Sequence, residues 1–117
     1  LNWVAIVDDD ESLRRCLSRV FAANGISART FGSAESYLSQ VGAGVPRCMV
    51  LDVHLGGING FELQDRLRDE GRDPPIVFIT GRLDVAEQLA ARSVGGSHLR
   101  KPFDMVSLLE LVRRHAR

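Results

Sequence analysis

The sequence predicts one α/β domain, a three-layer sandwich in which helices cover both faces of a parallel sheet. Three observations lead there. Short apolar runs recur at Trp3–Val7, Ile26–Phe31, Cys48–Leu51, Ile76–Ile79 and, more weakly, His98–Leu99. Runs apolar on both faces suit a sheet buried on both sides better than half-exposed hairpins. Segments with helical spacing separate them, so strand and helix alternate five times, the pattern of right-handed crossovers between parallel strands. Finally, 117 residues with 44% hydrophobic and 26% charged content have room for one core, so residues 1–117 read as a single domain.

The first strand, Trp3–Val7, runs into Asp8, Asp9, Asp10 and Glu11. In the helix that follows, Leu13, Leu17, Val20 and Phe21 make one stripe, Asp9 or Asp10 offers an N-cap, and Asn24-Gly25 is the stop. After the second strand, a helix beginning past Ser33 passes through Ala34, Tyr37 and Leu38 to the glycines at 42 and 44. The third strand ends in Asp52. Beyond it, Gly56-Gly57-Ile58-Asn59-Gly60 reads as a flexible loop, because it has neither GxGxxG spacing after the first strand nor a Walker lysine and hydroxyl. The third helix runs from Phe61 through Leu67 to Gly71, and Pro74-Pro75 leads into the fourth strand, which ends in Thr80-Gly81. A short fourth helix with a poor stripe is predicted over Val85–Ser93. The last, Phe103–Arg117, begins after Pro102, with Met105, Leu108, Leu109, Val112 and Ala116 on its core side and Leu111 on its polar side.

Composition excludes whole classes of function. Fifteen basic and fifteen acidic residues cancel, so no long-range field holds nucleic acid or an anionic membrane. No apolar run approaches the ~20 residues of a membrane span. Cys16 and Cys48 fit no CxxC or Cys/His ligand spacing and read as small core hydrophobes. No secretory leader precedes the first apolar run, so the expected compartment is the reducing cytoplasm. Trp3 reads as packing beside the first strand, and Tyr37 as a partly buried residue whose hydroxyl stays in water. Arg113 and Arg114 complement the dipole at the end of the last helix. Fourteen of the fifteen basic residues are arginine, and the single lysine is Lys101. A compact ammonium kept at one place marks a site where a guanidinium fork would not serve.

In open parallel sheets, ligands bind beyond the carboxyl ends of the strands. Those ends carry Asp8 and Asp9, Asp52, Thr80 and Lys101. One acid after a strand is often only a helix cap, but five polar groups at four strand ends need a shared cause. Gathered carboxylates repel, and a hard divalent cation relieves the conflict. Oxygen-only ligands at low count fit magnesium, which keeps several waters and usually meets a phosphate. The hydroxyl and the ammonium are then natural donors to phosphoryl oxygens.

Five segments carry a resemblance: Val4-Ala5-Ile6-Val7-Asp8-Asp9-Asp10, Val50-Leu51-Asp52-Val53-His54-Leu55, Asn59-Gly60-Phe61-Glu62-Leu63, Ile79-Thr80-Gly81 and Lys101-Pro102-Phe103. In order and spacing the chain resembles the receiver domain of two-component response regulators. The resemblance implies a flavodoxin-like (CheY-like) sheet of order 2-1-3-4-5 with five helices. It implies Asp52 as phosphoacceptor from a sensor histidine kinase or phosphotransfer protein, with Mg2+ held by Asp8, Asp9, Asp52 and the backbone carbonyl of His54. Thr80 and Lys101 would meet the phosphoryl oxygens, and Thr80 and His98 would form the switch. His54 is expected to point to solvent at the mouth of the site. A homodimer through the fourth helix, fifth strand and final helix is a further implication. Gly56 stands where the family commonly has proline, which implies a looser loop, and His98 stands where it commonly has Tyr or Phe. The stretch from Thr80 to Lys101 is about one residue shorter than usual.

Two other readings remain at this level. A magnesium-dependent phosphohydrolase with an aspartyl nucleophile resembles DxDxT after the first strand, and Asp8-Asp9-Asp10-Glu11-Ser12 lacks the threonine. A receiver-shaped module that never takes phosphate typically loses an acidic or lysine position, and all five are present. The expected role is therefore signalling, with no chemistry beyond the domain's own phosphorylation and dephosphorylation.

Overall fold

The computed structural model describes residues 3–41, 44–81 and 97–115. Five strands, β1 (Trp3–Val7), β2 (Ser27–Phe31), β3 (Cys48–Asp52), β4 (Ile76–Thr80) and β5 (Ser97–Arg100), form one parallel sheet of order β2-β1-β3-β4-β5. Four helices lie among the described residues: α1 (Glu11–Ala23), α2 (Ala34–Val41), α3 (Gly60–Asp69) and α4 (Met105–His115). This is the flavodoxin-like order. The helix expected over 85–93 lies outside the described residues, as do Ala116 and Arg117.

The two-residue period of the strands splits the core into two layers. Val4 and Ile6, Cys48 and Val50, and Val77 and Ile79 face Leu17 and Phe21 of α1 and Leu108, Leu109 and Val112 of α4. On the other face, Ala5 and Val7, Met49 and Leu51, and Phe78 meet Ala34 and Tyr37 of α2 and Leu63 and Leu67 of α3. Each large side chain so buried contributes about 1.5–3 kcal/mol. An exposed ion pair such as Arg15–Glu11 at 2.8 Å adds well under about 1 kcal/mol. The two-sided core therefore holds the sheet together. Among the described residues no helix is long and apolar enough to cross a membrane.

Local signals set most helix starts. Asp10 caps α1, accepting from the Ser12 and Leu13 amides at 2.9 and 3.2 Å. The Ser33 hydroxyl accepts from Ser36 N at 3.0 Å at the start of α2. Asn59 and Glu62 close a reciprocal capping box at α3. The last helix starts two residues later than the sequence predicts, because Asp104 serves as its cap: it accepts from Val106 N and Ser107 Oγ, each at 3.3 Å.

Several sequence expectations are corrected. β2 begins at Ser27, and most of it is exposed, because it is the sheet's edge. Arg29 lies over the Trp3 ring there, 4.8 Å from its centroid, so Trp3 does pack beside the first strand. Tyr37 does not keep its hydroxyl in water: the residue is fully buried, edge-on to Phe31 at 5.2 Å, and burial raises its phenol pKa. Cys48 is buried as expected, and burial pushes its thiol up to about 12. Cys16 is exposed instead. At about 100° per residue it is turned away from Leu17, which takes the buried position. Leu111 is half-buried against the α1-side core, and Val106 is the exposed apolar residue of α4. Leu111 lies only about 60° around the helix from Leu108, whereas Val106 lies about 160° away.

Candidate functional site

Because every strand runs the same way, the ends of β1, β3 and β4 open on one edge of the sheet. Asp8 follows β1 and is tied at each of its polar atoms. Its N–H donates to Phe31 O at 3.1 Å, and Arg14 Nη1 donates to its carbonyl at 2.8 Å. Its carboxylate accepts from Asp10 N at 2.8 Å and from Lys101 Nζ at 2.9 Å. Asp52, the last residue of β3, accepts from His54 N at 3.1 Å on Oδ1 and from Lys101 Nζ at 3.4 Å on Oδ2. One ammonium thus bridges two buried carboxylates whose residues stand 93 and 49 positions away from it. Its own amide donates to Thr80 O at 2.7 Å, which places Lys101 beside the end of β4. The Lys101–Pro102 peptide is cis.

Asp8 and Asp52 are buried, Asp9 is exposed, and one oxygen from each lies within 4.8 Å of the others. Lys101 pairs with the two buried carboxylates, while exposed Asp9 adds a third negative group beside them. Burial, followed by the negative charge of Asp8, pushes the Asp52 pKa up, and Lys101 and the His54 amide only partly offset this. For Lys101 burial is the largest single influence and favours the neutral amine, but its hydrogen bond to Asp8 and the two carboxylate charges together outweigh it and raise its pKa. A hard cation with open coordination positions fits this all-oxygen set.

The approach of α3 is close here. A Cβ at Gly60 would lie 2.6 Å from Asp52 O and 3.0 Å from Val53 Cα, so only glycine permits the helix to begin against the acceptor strand. Thr80 is fully buried at the end of β4. His98 pairs in register with Phe78, so Phe78, His98 and Thr80 belong to one face of the sheet. His98 is half-buried there. His54 departs from expectation: its Nε2 is buried and has no hydrogen-bond partner, so the ring does not simply point into solvent. Arg14 and Glu35 are contributors the sequence reading missed. Neither belongs to a recognisable motif, and each acts on a backbone group that only the fold brings near.

Strand order and the acidic edge together define a flavodoxin-like α/β domain with an oxygen-rich site at the carboxyl ends of its strands. The chain belongs to the family described as the response regulator receiver domain, whose profile matches residues 4–113. It is 38% identical over 104 residues to the C4-dicarboxylate transport transcriptional regulatory protein DctR of Rhodobacter capsulatus, covering 86% of this chain and 53% of that protein. It is likewise 38% identical over 110 residues to Nodulation protein W of Bradyrhizobium diazoefficiens, covering 93% of this chain and 48% of that protein. The chain spans about half the length of these curated relatives. Among solved structures, the response regulator StyR superposes with a TM-score of 0.86 at 33% identity, covering 97% of this chain and 58% of that one. The receiver domain of the Francisella response regulator 1452 gives a TM-score of 0.87 at 20% identity over 99% of this chain and 97% of that one, a likeness of fold. Receiver domains of response regulators are signalling domains of two-component systems.

Proposed function

We propose that residues 1–117 form one receiver domain in which Asp52 accepts a phosphoryl group from the phosphohistidine of a sensor histidine kinase or phosphotransfer protein. The observation that carries this is the bridge from Lys101 to both Asp8 and Asp52 beside Asp9, at the edge where β1, β3 and β4 end. Asp8, Asp9, Asp52 and the backbone carbonyl of His54 would hold Mg2+. When bound, the ion supplies positive charge against the phosphoryl oxygens.

The chain's own groups do the positioning. The His54 N–H on Oδ1 orients the Asp52 carboxylate, and its near-complete burial limits competing water. An Asp52 oxygen forms the new bond to phosphorus while the donor imidazole nitrogen takes back the electron pair of the bond that breaks. Lys101 sits closer to Asp8 than to Asp52, so its ammonium can turn to the incoming phosphoryl oxygen while still held. Thr80 offers a hydroxyl to the same group. The added charge biases a two-state element: Thr80 moves toward the phosphoryl group, and His98, on the same face, swings into the vacated space. The surface that changes includes β5 and α4, and it serves a partner or a second copy of the chain; the fourth helix expected to join it lies outside the described residues. Zero net charge argues against nucleic-acid binding by this domain itself, and the cytoplasm is the compartment that suits the reading.

Incubation with magnesium and a small phosphodonor, followed by peptide mass spectrometry, tests the assignment. A single acyl phosphate at Asp52, absent in Asp52→Asn, is the expected result. Label that persists undiminished in Asp52→Asn overturns it.

A further inference from the structure

The span between Asp52 and α3 contains adjacent glycines, Gly56 and Gly57, yet it is staked at both ends. The His54 amide rests on Asp52 Oδ1 at 3.1 Å, and the Gly60 amide donates to Val53 O at 2.9 Å. Between these stakes the Leu55 and Ile58 side chains pack on the core, and among the described residues one hydrogen bond arrives from another element. The Ile58 amide donates at 3.0 Å to Glu35 Oε2, on a helix residue 23 positions earlier in the chain. Gly57, at φ +81°, passes so near that a Cβ there would lie 2.6 Å from the same oxygen. Loop backbone and carboxylate are thus in direct contact along two residues.

Glu35 is well placed to hold a loop. It stands in the first turn of α2, whose dipole favours a carboxylate, between the Ala34 and Tyr37 side chains that anchor that helix in the core. The bond to the Ile58 amide, then the bond to its own amide, with a smaller contribution from Arg66, lower its pKa, so the acceptor stays ionised and the hydrogen bond is charge-assisted. Adjacent glycines lose more backbone freedom on ordering than any other pair. A contact in mid-span therefore controls how narrow the loop's ensemble is.

We propose that Glu35 is a positioning residue for the phosphoacceptor: by holding Ile58 it keeps the loop seated, and with it the His54 amide on Asp52. The functional meaning rests on the assignment of Asp52 as acceptor, but the mechanical claim is measurable without it. Amide hydrogen exchange is followed by NMR on the metal-free wild type, Glu35→Ala and Glu35→Gln, with Val50 in β3 as the internal control. In Glu35→Ala, exchange at both Ile58 and His54 should accelerate by roughly 2- to 10-fold, the range one hydrogen bond supports, while Val50 is unchanged. Glu35→Gln keeps an acceptor oxygen and should stay near wild type. In parallel, labelling of Asp52 by a small phosphodonor should slow in Glu35→Ala and recover in Glu35→Gln. Faster exchange at Ile58 with His54 unmoved, or no change at either, overturns the proposal. A wild type that takes no label at Asp52 defeats the functional assignment instead, and the exchange rates still decide whether Glu35 seats the loop.

Discussion

Removing the charge from Asp52 should stabilise the metal-free domain. Asp52→Asn preserves shape and the acceptor for the His54 amide at 3.1 Å. It removes a carboxylate that is 4% exposed and has an oxygen within 4.8 Å of one on Asp8. With an effective dielectric of about 20, two charges 4.8 Å apart repel by about 3.5 kcal/mol, while Lys101 at 3.4 Å returns about 5 kcal/mol. The two leave about 1.5 kcal/mol of attraction. Desolvation of a buried carboxylate, several kcal/mol, tips the balance, and a net gain of about 1–2 kcal/mol is expected. For a domain of this size that raises Tm by about 4–10 °C.

The pH dependence follows from the direction of the Asp52 shift. Its folded pKa lies above the unfolded value, so the folded state binds more protons between the two, and wild-type stability falls as pH rises through that window. The advantage of Asp52→Asn should therefore be full at neutral pH and shrink as the solution is acidified below the folded pKa. Melting curves by circular dichroism in EDTA, taken from about pH 8 down into the carboxylate range, measure this. Excess magnesium should narrow or reverse the ranking, because it stabilises most the protein that keeps all its ligands. A neutral-pH Tm that is unchanged or lower in Asp52→Asn, or a gap that widens on acidification, would refute the reasoning.

Three other outcomes are expected. Lys101→Arg keeps the charge but replaces a compact ammonium, now 2.9 and 3.4 Å from two carboxylates, with a wide planar group. Its Tm should stay within a few degrees of wild type, while the phosphorylation-dependent chemical-shift changes at Thr80 and His98 disappear; normal switching would show that any cation suffices. Gly60→Ala must place a Cβ 2.6 Å from Asp52 O, backbone that cannot turn aside, and urea titration should show a loss of about 1–3 kcal/mol. An unchanged midpoint would mean that α3 shifts freely. Under native conditions an aromatic disulfide reagent should titrate one thiol, Cys16, and miss Cys48, which is buried with its thiol pushed up to about 12; a rapid second equivalent would contradict that burial.

Much of the site was legible because a parallel sheet turns sequence position into spatial position. Residues that end separate strands must share one edge, so Asp8, Asp52, Thr80 and Lys101 could be grouped before any distance was known. The helix cap at Asp10 was similarly readable, since its partners lie two or three residues away, while Ser33 and Asn59, which the sequence places only ahead of a helix, prove to be caps as well. Side chains whose surroundings come from other elements were not. Tyr37 was expected to reach water, but Phe31 and the surrounding core close over it. Cys16 and Leu111 were misplaced because a stripe on a helical wheel does not say where the buried arc ends.

The alternation of strands and helices, the acidic strand ends and the single lysine are properties of the sequence by itself, because apolar runs, helical stripes and local hydrogen bonds act over a few residues. The strand order, by contrast, is only an implication of the resemblance and is set by long-range pairing. Which of two adjacent aspartates is buried, that one ammonium serves both Asp8 and Asp52, and that Glu35 reaches the Ile58 amide were decided only by the tertiary structure. Those relations join residues 23 to 93 positions apart, and their strength varies with ångström-scale distance and with the water excluded around them. Neither quantity exists until the layers of the sandwich have packed.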